Sequence, residues 1–225
     1  MGVVITISRQ YGSDGRTVGL KAAEALGYLY VDKELIVEVA RQAEVPVSEV
    51  ERFDEHPGNT AVRVLKKLLV PEYNAALLST MEHGWVPYGA LPDSRTQEDE
   101  AIATLDEDTY VRLTQEAMLR LADQEDVVLI GRGSQAFLAG RSDVLHVRVV
   151  APDEFRVETA VERDGCSREE AIKQIRKVDE ERRIYIKRHY GMDWDGPEHY
   201  HLFLNTGWMG VDAAARLLVE AHNTF

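Results

Sequence analysis

The chain has 225 residues, 44% of them hydrophobic and 29% charged, with a formal net charge of -13. That composition supports one α/β domain with a smaller inserted lobe and excludes wholesale disorder. So acidic a surface repels phosphate polymers and anionic lipid. It therefore argues against nucleic acid or a membrane as partner, and any phosphate ligand must meet positive charge gathered locally.

The opening run MGVVITISRQYG lacks the basic region of a signal peptide, and no run approaches the ~18 apolar residues of a membrane span. The single cysteine, Cys166, cannot form an internal disulfide. This suits a reducing, cytoplasmic compartment, and acidic neighbours are expected to leave the thiol inert.

Val3 to Ile7 is a compact β-branched run, followed by polar and glycine residues. Thr17 to Leu26 carries apolar residues at helical spacing, and Gly27 stops it. Tyr28 to Val31 predicts a second short strand, with Asp32 a candidate N-cap for a helix to about Ala43. Ser48 and Glu51 have capping-box spacing, residues 60 to 81 read as a helix broken near Pro71, and residues 83 to 100 read as a loop or lobe. The helical period returns from Asp108 to about Ala122. Val127 to Ile130 then reads as a buried strand ending at Gly131-Arg132-Gly133. Val144 to Val150 and Tyr200 to Leu204 are further strands. Helices are expected over 153–164, over 167–190 behind a Ser167/Glu170 capping box, and over 211–221. Strands alternating with helices imply a mostly parallel sheet covered on both faces.

The first strand–helix turn reads Ser8-Arg9-Gln10-Tyr11-Gly12-Ser13-Asp14-Gly15-Arg16-Thr17. Phosphate loops follow G-x-x-x-x-G-K-[ST]: glycines let backbone N–H groups converge on phosphate oxygens, and the following helix adds its positive end. Here Gly15-Arg16-Thr17 takes the G-K-T place, while Gln10 stands where the first glycine should be. Arg16 keeps the lysine's charge in a planar fork, and Thr17 keeps the hydroxyl. Asp14 would repel a bound phosphate, so it must point outward or pair with Arg9 or Arg16. The alternative is an ordinary turn whose glycines serve geometry alone.

Arg132, held between two glycines at a strand's C-terminal end, is placed to clamp a phosphate. Gly131-x-Gly133-x-x-Ala136, with Asp153 downstream, also matches a dinucleotide fingerprint and keeps an NAD(P)-dependent oxidoreductase as a competing reading. Its following helix must end near Gly140, short for a crossover. Residues 171 to 190 hold a local cationic excess. Arg176, Arg183 and Lys187 can share a face, and Asp179 can pair with Arg183. This reads either as a lid closing over phosphates or as a solvated, ion-paired face. His199 and His201 are expected at the surface or in turns, and Met192, Trp194 and Trp208 in packing.

Three stretches together resemble the cytidylate kinase-like family. They are Ile5 to Arg16, with Leu26-Gly27-Tyr28 and Asp32 to Ile36; Val128 to Gly133; and Asp179-x-x-Arg182 through Tyr190 to Trp194, then Asn205-Thr206. The resemblance implies a P-loop kinase fold: a parallel five-stranded sheet with helices on both faces, a helical nucleoside-monophosphate-binding lobe and an arginine lid. On that reading the core is 1–44 and 106–225, the inserted lobe about 45–105 and the lid about 165–192. It further implies transfer of the ATP γ-phosphate to CMP or dCMP with magnesium. Gly12, Ser13, Gly15, Arg16 and Thr17 would cradle the donor phosphates, with the Thr17 hydroxyl on Mg2+. Asp32 would sit by the acceptor and Arg132 would hold its phosphate. Arg182, with Arg183 or Arg188, would act from the lid. Cytidylate kinases carry lysine where this chain has Arg16, serine where it has Lys33, arginine where it has Val37 and Glu38, and aspartate where it has Gly133. A catalytically silent nucleotide sensor, or a kinase of a non-nucleotide small molecule, therefore stays open beside the nucleotide kinase.

Overall fold

A computed structural model describes residues 3–32 and 107–225. The chain divides into two units, Met1–Val31 with Leu121–Phe225, and Asp32–Arg120. Of the second unit, Asp32 and most of one helix are described; the helix, capping box and loop expected between residues 33 and 106 lie outside the described residues.

The elements run β1 (Val4–Arg9), α1 (Gly15–Leu26), β2 (Leu29–Val31), α2 (Glu107–Gln124), β3 (Val127–Ile130), α3 (Ser134–Phe137), β4 (Val144–Val150), α4 (Asp153–Asp164), α5 (Arg168–Tyr190), a 3-10 turn (Pro197–His199), β5 (Leu202–Asn205), α6 (Thr206–Met209) and α7 (Val211–Thr224). The five strands form one sheet in the order β2-β3-β1-β4-β5, and every neighbouring pair is parallel. This five-stranded parallel sheet is that of the P-loop kinase fold, as the family resemblance implies.

Strand alternation divides the buried side chains between two faces. Ile5, Ile7, Val128, Ile130, Leu145, Val147 and Val149 join Val18, Ala22 and Ala23 of α1 and Ala214, Ala215 and Leu218 of α7 in one apolar core. Helix α1 lies close on the sheet because Gly19 has no side chain; a Cβ there would stand 2.6 Å from Ile130 Cδ1. The opposite face carries a polar row: Thr6, Ser8, His146 and Arg148 are all buried. A second apolar cluster of Val157, Ala160, Ala171 and Ile175 joins α4 to α5 and takes in Tyr11 and Cys166. Cys166 therefore packs against an apolar cluster.

The ends of the elements follow their capping residues. Gly27 ends α1 in the left-handed region, and Ser167 opens α5 with a complete capping box. Helix α3 is a single four-residue turn. The dinucleotide reading needs a long helix there and fails on that point. Among the described residues no helix is long and apolar enough to cross a membrane.

Candidate functional site

All five strands are parallel, so their C-terminal ends share one edge of the sheet, where open α/β folds bind ligands. The loop after β1 lies at that edge and is tied down from three sides. Gln10 N donates to Val149 O (3.0 Å) and its Oε1 accepts from Ala151 N (3.1 Å). The Ser13 hydroxyl is fully buried and donates to Gln10 O (2.8 Å), with Val149 O at 3.3 Å. This side chain holds the loop's shape. Thr206 Oγ1 donates to Ser13 O (2.8 Å) from the far end of the sheet.

Gly12 has φ +75° and its α-carbon faces α4 so closely that a Cβ would stand 2.4 Å from Arg156 O. Gly15 opens α1, where a Cβ would stand 2.5 Å from Arg9 Cβ. Between them Asp14 occupies the left-handed region (φ 53°) and makes no side-chain cap. Its carboxyl pairs in neither of the expected ways. Burial raises its pKa, Arg163 of α4 lowers it, and Glu162 raises it further. Arg16 is half-buried and Thr17 is exposed in the first turn of α1.

Helix α5 reaches this loop through one stripe. Ala171, Ile175, Asp179 and Ile186 are its buried residues, and Arg182 extends the same face. Asp179 Oδ1 accepts from Tyr11 N (2.8 Å), and Oδ2 accepts from Arg156 Nη2. Arg156 in turn donates from Nε to Tyr11 O (2.8 Å). Arg182 Nη1 donates to Arg9 O (2.9 Å), with Asp179 Oδ1 at 3.5 Å. The expected Asp179–Arg183 pair does not form. Arg183 instead meets Glu180 (2.5 Å) and Asp195 (2.9 Å). Arg176, Lys187 and Arg188 are exposed. Arg188, six residues on, lies roughly 120° round the helix from Arg182. Helix α5 thus meets the loop through Asp179 and Arg182, while Arg176, Lys187 and Arg188 lie on its exposed side.

Electrostatics mark Arg182 as unusual. Burial draws its pKa down to about 10, Asp179 opposes that, and repulsion from Arg16 and Arg148 adds to it. Three guanidinium groups thus crowd one edge of a chain that carries net charge -13. A fourth, Arg9, lies across the turn after β3: a Cβ on Gly131 would stand 2.0 Å from its Nη1. Arg132 holds φ 55° between Gly131 (73°) and Gly133 (75°), and its carbonyl accepts from the Tyr190 hydroxyl (3.3 Å). Of the expected site residues, Gly12, Gly15, Arg16 and Arg182 gather at the loop, and Arg132 stands at the neighbouring turn. Asp32 is buried directly after β2.

Three residues of this edge, Arg148, Asp195 and Arg156, carry roles that spacing had not suggested. Arg148, 1% exposed, donates to Ser8 Oγ (2.9 Å) and to Asp195 Oδ1 (2.5 Å), and stacks 3.8 Å from the Trp194 ring centroid. Asp195 also holds Arg183, so one carboxylate links the sheet to α5. Arg156 and Asp179 form the tie beneath the loop. For Arg148 and Arg156 a signal was present: a charged residue at the buried phase of a strand or helix. Trp194 is buried packing, as expected; Trp208 is 84% exposed, against expectation. His201 is exposed as expected, stacked on the buried His146 (5.2 Å), whose Nδ1 lies 2.7 Å from Thr6 Oγ1.

The sequence model of the cytidylate kinase-like family matches residues 4–207. A curated relative, a cytidylate kinase of Ignicoccus hospitalis, is 34% identical over 74 residues. That match covers 33% of this chain and 43% of that protein's length. Two solved structures share the fold. One, an uncharacterized protein from Eubacterium ventriosum, has a TM-score of 0.67 at 16% identity over 99% of both chains. The other, a shikimate kinase from Bacteroides thetaiotaomicron, has a TM-score of 0.50 at 13% identity over 98% of both chains.

Proposed function

The chain belongs to the cytidylate kinase-like family, and on that premise we propose that it transfers the γ-phosphate of ATP to a nucleoside monophosphate of the CMP or dCMP type. The carrying observation is the convergence of Arg16, Arg148 and Arg182, whose mutual repulsion helps depress the Arg182 pKa. An anion between such groups is favoured because it relieves that repulsion. The tight loop from Gln10 to Gly15 supplies backbone N–H groups, and α1 adds the positive end of its dipole.

The chemistry asks little of a dedicated base. The second pKa of a phosphate monoester is ~6, so the acceptor's own phosphate oxygen is anionic at neutral pH. That oxygen attacks the γ-phosphorus in line, the bond to the β,γ-bridging oxygen breaks, and ADP leaves with the electron pair. Arg16 and Arg182 neutralise charge on the transferring phosphoryl group, and Arg132 holds the acceptor phosphate. Magnesium, if bound, would supply positive charge to the donor phosphates, and Thr17 would hold it through its hydroxyl. The exposed Thr17 hydroxyl fits it, because Mg2+ keeps several waters and needs no cage of carboxylates. Among the described residues no group of three or more His, Cys, Asp or Glu offers such a cage.

A second reading rests on Asp32. A buried carboxyl after β2 would suit activation of a hydroxyl acceptor, which a phosphate acceptor does not require. The test is a coupled ADP-release assay with Mg-ATP against nucleoside monophosphates, their deoxy forms and small polyols. Arg16→Ala and Arg182→Ala serve as variants. Release that depends on CMP or dCMP and collapses in both variants is the expected result. Stimulation by a polyol alone, lost in Asp32→Asn, would establish the second reading. ATP binding without turnover on any acceptor would make the protein a nucleotide sensor and end both.

A further inference from the structure

Between Gln10 and Gly15 the loop after β1 carries one aromatic side chain, Tyr11. Its backbone is tied on both sides: N donates to Asp179 Oδ1 (2.8 Å) and O accepts from Arg156 Nε (2.8 Å). The side chain turns into the seam between α4 and α5, where it packs against the cluster of Val157, Ala160, Ala171 and Ile175. Its hydroxyl donates to Oδ2 of Asp164, the last residue of α4 (2.7 Å). Two guanidinium groups lie over the ring, Arg163 at 4.6 Å and Arg182 at 5.9 Å from its centroid. Arg163 also meets Asp164 (2.8 Å), so hydroxyl, carboxylate and the nearer guanidinium together fix the plane of the phenol. Packing in the α4–α5 seam would ask only for an apolar side chain. The aromatic face turned toward Arg182 is the part that packing leaves unexplained.

Arg182 has need of a fixed surface. Arg16 and Arg148 repel it. Its hydrogen bonds both leave from one nitrogen, Nη1: to Arg9 O (2.9 Å) and, at 3.5 Å, to the same Asp179 oxygen that accepts from Tyr11 N. A guanidinium held at one nitrogen can pivot about it. We infer that Tyr11 is the positioning residue for Arg182, its ring face holding that guanidinium at the loop. The inference rests on the reading of this loop as a phosphate cradle. A cation is drawn to the negative face of an aromatic ring within about 6 Å of the centroid, and more strongly where water is excluded. The Arg182 side chain is a quarter exposed, so most of it is out of water. One residue thus shapes the loop with its backbone and aims the arginine of α5 with its side chain. Asp179 joins the two functions, because one of its oxygens meets both Tyr11 N and Arg182.

A cation held over an aromatic face is worth roughly 2- to 30-fold in an equilibrium constant, more as water is excluded. The experiment measures binding of ATP and of inorganic tripolyphosphate by titration calorimetry. The proteins are the wild type, Tyr11→Leu, Tyr11→Phe, Arg182→Ala and the double variant Tyr11→Leu/Arg182→Ala, with thermal melts to confirm that each is folded. Tyr11→Met takes the place of Tyr11→Leu should the latter not fold. Both ligands should bind about fivefold or more weakly to Tyr11→Leu, and Tyr11→Phe, which keeps the ring and loses only the Asp164 bond, should recover most of that. Once Arg182 is alanine, Tyr11→Leu should cost less than about twofold further. An equal cost in both backgrounds would mean that the ring acts on loop packing alone; it would overturn the inference and leave the cradle standing. Unchanged affinity in Tyr11→Leu would overturn it as well. Tyr11→Phe as weak as Tyr11→Leu would assign the effect to the Asp164 bond and overturn the role of the ring. A wild type that binds neither ligand would overturn the cradle, and the inference with it.

Discussion

Replacing Asp179 by asparagine should loosen the phosphate loop and destabilise the sheet unit together. Asp179 is buried and sits between two guanidinium groups, those of Arg156 and Arg182, while also accepting from Tyr11 N (2.8 Å). Asparagine keeps the shape and can still accept from Tyr11, so the change isolates the charge. Arg156 is as buried as its partner and would be left without it; Arg182 is a quarter exposed, and water takes up part of its loss. Breaking a buried pair by removing one member costs about 3–5 kcal/mol, and the wetter second arm places the expected cost near the lower end. For a chain of this length each kcal/mol moves Tm by roughly 2–4 °C, so Tm should fall by roughly 6–12 °C. The cost should shrink when Arg156→Met is present as well, because the orphaned cation is then gone. A double-mutant cycle should therefore return a coupling of roughly 1.5 kcal/mol or more. The readouts are thermal melts of the four proteins and their ATP affinity, which should weaken with the loop. A Tm for Asp179→Asn within roughly 2 °C of wild type, or a coupling inside the roughly 0.5 kcal/mol scatter of such cycles, would refute the reasoning.

Two further outcomes follow from the same structure. Burial, with His201 close by, holds the His146 pKa down to about 4 against an ordinary 6.5; the unfolded chain takes up the proton first, so stability is constant above pH 6.5 and falls by about 3 kcal/mol between there and pH 4. Denaturant titrations across that range should show His146→Asn losing this slope, and parallel profiles for the two proteins would refute it. Gly12→Ala combines a left-handed φ with a backbone clash at 2.4 Å, whereas Gly140→Ala has φ +83° and nothing within 4 Å. The first should cost at least about 2 kcal/mol more than the second, which bears only the ~1–2 kcal/mol of the left-handed backbone; equal melts would remove the steric argument.

The family and the architecture were legible in the chain before any coordinates. The strands announce themselves because a strand buried on both faces must be apolar along its length, as Val127–Ile130 is. The helices announce themselves through 3.6-residue spacing and end residues such as Ser167, Gly27 and Gly191. The charges of α5 were the harder part to read. Arg183, Lys187 and Arg188 carry the charge density, yet the buried phase of α5 runs through Ile175, Asp179 and Ile186 and leaves those basic groups outside. Arg182 lies on that inner phase, and the sequence offered Asp179 two arginines without saying which one the loop would need. The Ser13 hydroxyl closes the loop on itself, a role its place in the loop did not announce.

Local sequence thus determined the elements, the order in which they alternate, and the glycines at the two turns after β1 and β3, because backbone conformation and solvent exclusion act over a few residues. Tertiary structure alone decided which charges meet. The Arg156–Asp179 pair joins residues 23 apart, Arg148–Asp195 joins residues 47 apart, and the Thr206–Ser13 bond joins residues 193 apart. Such contacts depend on how the parallel crossovers bring strand ends to one edge, and no periodicity along the chain records that. The outward turn of Trp208 belongs to the same class: it is fixed by what buries Thr206 and Met209 on either side of it.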